Sequence, residues 1–197
     1  PLPPELVQAL GSNGGHEFLS ADGVWKLSLT RDFLALTTKS YVDWSGFKQQ
    51  MRIPLEALCE LYAPAFFLRV GLRYRDRIDR ERLGVQDVPW GQLLRAEAVG
   101  ELATEALGPH IEHVLRELVV RLANDEGHVR IVHGLQKEGD SAPLYIIDSD
   151  FFTEKQTETG GVSNVLDAFN RRAGHLFRWY ITPRLHDAME PRAAPAA

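Results

Sequence analysis

Four arginines, Arg69, Arg73, Arg75 and Arg77, punctuate the stretch LRVGLRYRDRI, and two aspartates, Asp148 and Asp150, stand two apart in IIDSDFF. Alternate side chains of an extended chain share a face, so each set gathers on one side of a strand. Guanidinium groups in such a row take phosphate or carboxylate in a forked geometry. Two carboxylates at short range can work as a general acid and base or clamp a divalent cation. Four like charges on one face repel one another unless anions lie opposite. The row is therefore either a cross-strand ladder of Arg–carboxylate pairs or a concave basic surface. In the ladder, Glu17, Asp22 and Asp32 are further anions on nearby hairpins. The basic surface would take an acidic protein, a phosphate-bearing ligand or a nucleic-acid backbone. Gly71 in mid-row marks a bend or a close backbone approach.

Other chemistry is sparse. There is no HExxH, CxxC or GxSxG pattern, and GSNGG at 11–15 lacks the Lys-Ser/Thr of a phosphate loop. His110 and His113 in HIEH would share a helix face beside Glu112, but no third metal ligand stands near, and His128 or His133 could join only through folding. No metal or cofactor is expected. Cys59 is the one cysteine, and its apolar and acidic neighbours in LEALCELY predict a buried, inert thiol. Trp179 falls off the apolar stripe of its helix between Arg178 and Arg184. That pairing marks it either as a partner-binding or self-association residue or as an ordinary cover for a sheet edge.

The bulk properties set the frame. A chain of 197 residues, 44% hydrophobic and 25% charged, reads as one soluble globular domain with a substantial core. A net charge of −5 gives no overall attraction to nucleic acid or an anionic membrane. No run approaches the ~20 apolar residues of a membrane span. A cytoplasmic protein is expected, and the start at Pro1 without Met leaves room for a removed leader.

Along the chain, PLPPELVQALGSNGG reads as a Pro-rich opening with one helical turn. HEFLSADGVWKLSLTRDFLALTTK alternates and breaks at Asp22-Gly23 and Arg31-Asp32, which predicts two or three antiparallel strands. SYVDWSGFKQQMRIPLEALCELY predicts a helix, with Ser40 and Asp43 as a capping box, Trp44 in the core, and Pro54 kinking or dividing it. The arginine segment follows as a long strand, with Leu68, Val70, Leu72, Tyr74 and Ile78 packed beneath the helices. Residues 83–107 predict a loop with short helices. HIEHVLRELVVRL fits helix or strand, and HVRIVHGLQ and APLYIIDSDFF predict strands. TEKQTETGG reads as a solvated loop tip. The segment from Val162 to Met189 predicts one long helix capped by Ser163, and EPRAAPAA at 190–197 a disordered tail. The expectation is an α+β fold: a curved, mainly antiparallel sheet with two long helices on one face, in a single domain over 1–189. Two β-β-β-α halves, 15–82 and 108–189, would flank the insert at 83–107.

LRVGLRYRDRI also resembles the signature of a sporadically distributed bacterial family of uncharacterised proteins. In that family an Arg-x-Gly-Leu-Arg-Tyr-x-Asn-Arg-Ile strand follows a Ser-Tyr-x-x-Trp-x-x-Phe helix start, matched here by SYVDWSGF at 40–47. Asp76 stands where the family has Asn, and FRWYIT fits its C-terminal pattern. The likeness runs from about Glu17 to Met189, and the family's first strand-rich portion is shortened or absent. It implies architecture and no chemistry; patchily distributed bacterial proteins often belong to defence, mobile-element or toxin-neutralising loci, and the resemblance points to such a locus as an expectation. The expected function is a non-catalytic binding or regulatory protein with a protein partner or a homodimer. Its ligand-contacting candidates are Arg69, Arg73, Arg75, Arg77, Asp148, Asp150 and Trp179. The alternatives are a hydrolase-like enzyme using Asp148 and Asp150 on a phosphorylated substrate, and a nucleic-acid backbone binder.

Overall fold

The computed structural model describes residues 14–137 and 142–191, so the opening helical turn and nearly all of the tail lie outside the described residues. The fold is α+β with antiparallel sheets, and the chain divides into two units, Pro1–Pro64 and Ala65–Ala197.

The first unit contains a three-stranded meander, β1 (His16–Leu19), β2 (Trp25–Leu29) and β3 (Leu34–Thr38). Its breaks are those expected from the sequence. Gly23 takes the left-handed φ of 67° that the first turn needs. In the second turn, Thr30 Oγ1 accepts from the Asp32 and Phe33 amides at 3.1 Å each. Helix α1 (Trp44–Tyr62) then runs unbroken through Pro54. Its cap is Asp43 rather than Ser40: the carboxylate accepts from the Gly46 amide at 2.7 Å. Phe47 lies 5.7 Å from the Trp25 ring and 6.0 Å from Trp44, setting the helix start against the meander. None of the helix residues is buried, so Cys59 and Trp44 are half-exposed and neither is a core residue.

The second unit is built on a four-stranded sheet of order β5-β8-β7-β6, formed by β5 (Val70–Ile78), β6 (Arg116–Arg121), β7 (His128–Gln136) and β8 (Leu144–Thr153). The order β-β-β-α holds for β1–β3 and α1, whereas in the second unit the short strand β9 (Thr157–Glu158) falls between β8 and helix α4 (Val162–Tyr180). Helix α4 packs over β5 and β8. Where they meet, Ile147 and Phe151 of β8 and Phe169 of the helix are almost wholly buried, each contributing about 1.5–3 kcal/mol by leaving water. The insert supplies two short helices, α2 (Trp90–Leu93) and α3 (Ala96–Val99).

Several expectations need correction. The arginine strand is interrupted after β4 (Phe66–Phe67), which pairs with β9 (Thr157–Glu158), so TEKQTETGG is partly strand. Leu68 falls in the break and is 68% exposed instead of buried. HIEHVLRELVVRL is strand only from Arg116. His110 closes a 3-10 turn and His113 lies outside any helix, so the two share no helix face. The long C-terminal helix stops at Tyr180, because Pro183 restarts the chain as α5 (Pro183–Ala188) with Thr182 as its cap. Gly161, not Ser163, precedes α4. The α4–α5 joint is tied to the insert by the Leu94–Ile181 bridge and by the Thr182 amide donating to Leu93 O at 2.9 Å. Among the described residues, no helix is long and apolar enough to cross a membrane.

Candidate functional site

The alternation of β5 separates its side chains as expected: Val70, Leu72 and Ile78 are buried, while Gly71, Arg75 and Arg77 are exposed. Across the sheet the register sets Arg73 opposite Asp150 and Arg75 opposite Asp148. The ion pairs run diagonally. Arg73 donates to Asp148 through Nε and Nη2, both at 2.6 Å, a forked clamp with the two side chains 21% and 14% exposed. Arg69, just ahead of β5, donates to Asp150 at 3.0 Å and lays its guanidinium 4.6 Å over the Phe152 ring. Gly71 borders that path. It lies opposite Phe152, and a Cβ there would stand 3.5 Å from Arg69 Nη1 and 3.3 Å from Phe151 O. Arg130 enters the same face from β7 and donates to Glu117 of β6 at 2.7 Å. Arg75 and Arg77 extend the row beyond the clamps.

Both aspartates of the DSD sequence therefore serve as acceptors for guanidinium groups. Burial raises the Asp150 carboxyl above its ordinary range, outweighing the opposing pull of Arg69 and Arg73. The hydrogen bond to Asp148 holds Arg73 still more firmly protonated.

Trp179 leads elsewhere. It stands 44% exposed on α4, edge-on to Tyr180 at 5.2 Å, at the lip of a groove of about 600 Å³. The C-terminal half of α4 forms one wall of the groove and β6 the other; β7 supplies the floor and α3 one end. Leu118, Val120, Ile131, Leu176 and Trp179 give apolar walls, and Arg116, His133 and Tyr180 a polar end. Sites of this make-up, apolar with a few convergent polar groups, are the usual form of a binding cleft.

The polar end has a fixed protonation pattern. Tyr145 donates its hydroxyl proton to Ala98 O at 2.9 Å, and His133 Nδ1 lies 2.7 Å from the same hydroxyl. The only Tyr145 proton being engaged, His133 must donate from Nδ1, which leaves Nε2 as an acceptor. Burial holds the imidazole neutral by lowering it to about 4, with Arg116 acting in the same sense. Burial likewise pushes the Tyr180 hydroxyl up to about 12. Arg116 is anchored by donation to Ala98 O at 3.0 Å and by an ion pair with Glu101.

Sequence reasoning singled out Trp179 but not the groove beside it, because HIEHVLRELVVRL left β6 undecided between helix and strand. It also missed Asp76, which takes the helix-covered face of β5 with Tyr74 and Ile78. Burial pushes its carboxyl up to about 6, and the charge of Asp148 adds to the rise. Among the described residues no three His, Cys, Asp or Glu side chains are grouped to hold a metal. Compared with known protein families, curated proteins and solved structures, the chain matches none of them.

Proposed function

We propose that the protein is a non-catalytic binding module that takes an extended segment of a protein partner along β6, with the Trp179 groove receiving its side chains. One observation carries this reading. β6 is the edge strand of its sheet, and Leu115, Leu118, Val119, Val120 and Trp179, all between 44% and 62% exposed, surround it. A strand edge offers unpaired backbone groups, and an adjoining apolar groove reads alternate side chains of whatever pairs with it. Panning a displayed library of short uncharged peptides tests it. Sequences with alternate apolar residues should be enriched on the chain, and Trp179→Ala should weaken the best of them roughly tenfold or more. No enrichment above that on a Val119→Pro control would sink the reading.

A second reading, an anionic partner or phosphate-bearing ligand on the arginine face, has its own support. That face of the sheet carries Arg73, Arg75, Arg77, Arg121 and Arg130, with Arg69 reaching over it, against Asp148, Asp150 and Glu117. Among the described residues of that face positive side chains thus outnumber negative ones, in a chain of net charge −5. Binding of an oligonucleotide should then fall steeply with salt, and Arg75→Glu should weaken it for every sequence alike. Salt-insensitive binding would remove this reading. Nothing favours the hydrolase alternative, since each of its two carboxylates is engaged by an arginine.

A further inference from the structure

The edge of β6 carries the information needed to name its occupant. The Val114 amide donates to Leu135 O at 3.1 Å and the Leu122 amide to Gly127 O at 2.8 Å, on either side of a continuous β6–β7 register. Even-numbered residues of this strand therefore turn their backbone groups towards β7, and Glu117, Val119 and Arg121 turn theirs outward. Any strand added to this edge must bond to those three residues.

We infer that the occupant is β6 of a second copy of the chain, paired antiparallel about a two-fold axis through Val119. This rests on the reading of β6 as a binding edge and adds the identity of the partner. Registers that oppose an odd-numbered residue to an even-numbered one are forbidden, since the even-numbered one already bonds to β7. Of the allowed registers, centring on Glu117 opposes Glu117 to itself, and centring on Leu118 opposes it to Val119. Centring on Val120 opposes Val119 to Arg121. Only centring on Val119 sets Glu117 opposite Arg121 of the second copy, and by symmetry does so twice.

Side-chain exposure agrees with this register. Val119, 62% exposed, would meet its own counterpart on the arginine face, flanked by the two charge pairs. On the groove face Leu118 and Val120, each 44% exposed, would oppose Val120 and Leu118 of the copy and prolong the apolar wall that ends at Trp179. Glu117 is 53% exposed even while Arg130 holds its Oε1, so it remains accessible to a second cation. An apolar edge is ordinarily blunted by charge. Here the two charges at its ends are complementary to the edge itself.

Analytical ultracentrifugation over a concentration series tests the inference. The wild-type chain should sediment at high concentration as a species of twice the 22.2 kDa chain mass. Glu117→Arg or Arg121→Glu should each weaken association roughly tenfold, as like charges then face each other at both ends. The double variant Glu117→Arg/Arg121→Glu should restore self-association and fail to pair with wild type. Val119→Pro removes only an outward N–H and should leave a folded monomer; should it not fold, the charge exchange still decides. Wild type that stays monomeric while library peptides bind overturns the second copy and spares the binding edge. A monomer that enriches no peptide overturns both. A dimer indifferent to the charge variants uses another surface and overturns the inference.

Discussion

The Arg73–Asp148 clamp shows how a charged row can sit on a sheet and serve the fold. Its two 2.6 Å bonds are made by side chains mostly removed from water, so neither charge can lose its partner without remaining partly desolvated. Replacing both ions by apolar side chains of similar size is far cheaper than removing one, because no orphaned charge is left. Asp148→Leu should therefore lower stability by about 2 kcal/mol, while combining it with Arg73→Met should recover most of that loss. Denaturant unfolding of the four members of the cycle measures it. Additive single effects, with no recovery in the double variant, would show the pair to be a surface decoration. Arg69 sits differently: it passes beside Gly71, where an added Cβ would make ordinary contact with its guanidinium and press instead on the Phe151 carbonyl.

At the scale of elements, the edge that presents β6 depends on Gly134 in the neighbouring strand. Gly134 has φ of 154°, and a Cβ there would stand 1.9 Å from Val114 O, at the point where the chain turns into β6. Gly134→Ala should cost roughly 2–3 kcal/mol and loosen the start of β6. Faster hydrogen exchange at the Val114 amide, together with a lowered melting temperature, is the expected signature. Such contacts explain which elements could be read from the sequence. β5 and β8 were legible because period-2 alternation and the paired Arg and Asp spacing are local. The cap at Asp43 was displaced by three residues, since Ser40 and Asp43 carry the same chemistry. Leu68 was misplaced because β5 begins two residues later than its alternation begins. β6 was ambiguous because RELVVR is short and apolar, and only pairing with β7 makes it a strand. The groove and the burial of Asp76 are products of packing between segments far apart in the chain, which no local pattern encodes.

For the molecule as a whole, a largely buried carboxyl and a buried imidazole pull the acid response in opposite directions. Asp76 has its carboxyl raised from 3.8 to about 6, and His133 has its imidazole lowered from 6.5 to about 4. Between these limits the folded chain holds more protons at Asp76 than the unfolded chain does, so that group's contribution to stability is full below pH 3.8 and lost as pH rises through about 6. At His133 the folded chain holds fewer protons, so its contribution is full above pH 6.5 and lost as pH falls through 4. Each is of order 2–3 kcal/mol, and over roughly pH 4 to 6 they largely cancel. Asp76→Asn should therefore expose an acid-labile protein, more stable than wild type near pH 7 by up to about that amount. His133→Asn, which can still donate to the Tyr145 hydroxyl, should instead become relatively more stable as the pH falls. Asp150 is raised by burial in both backgrounds, so subtracting the wild-type curve isolates each group. Chemical unfolding at several pH values gives the slopes. Equal slopes for both variants would mean that the two side chains are solvated in the folded chain, and that neither the helix-covered face of β5 nor the polar end of the groove is as dry as its packing implies.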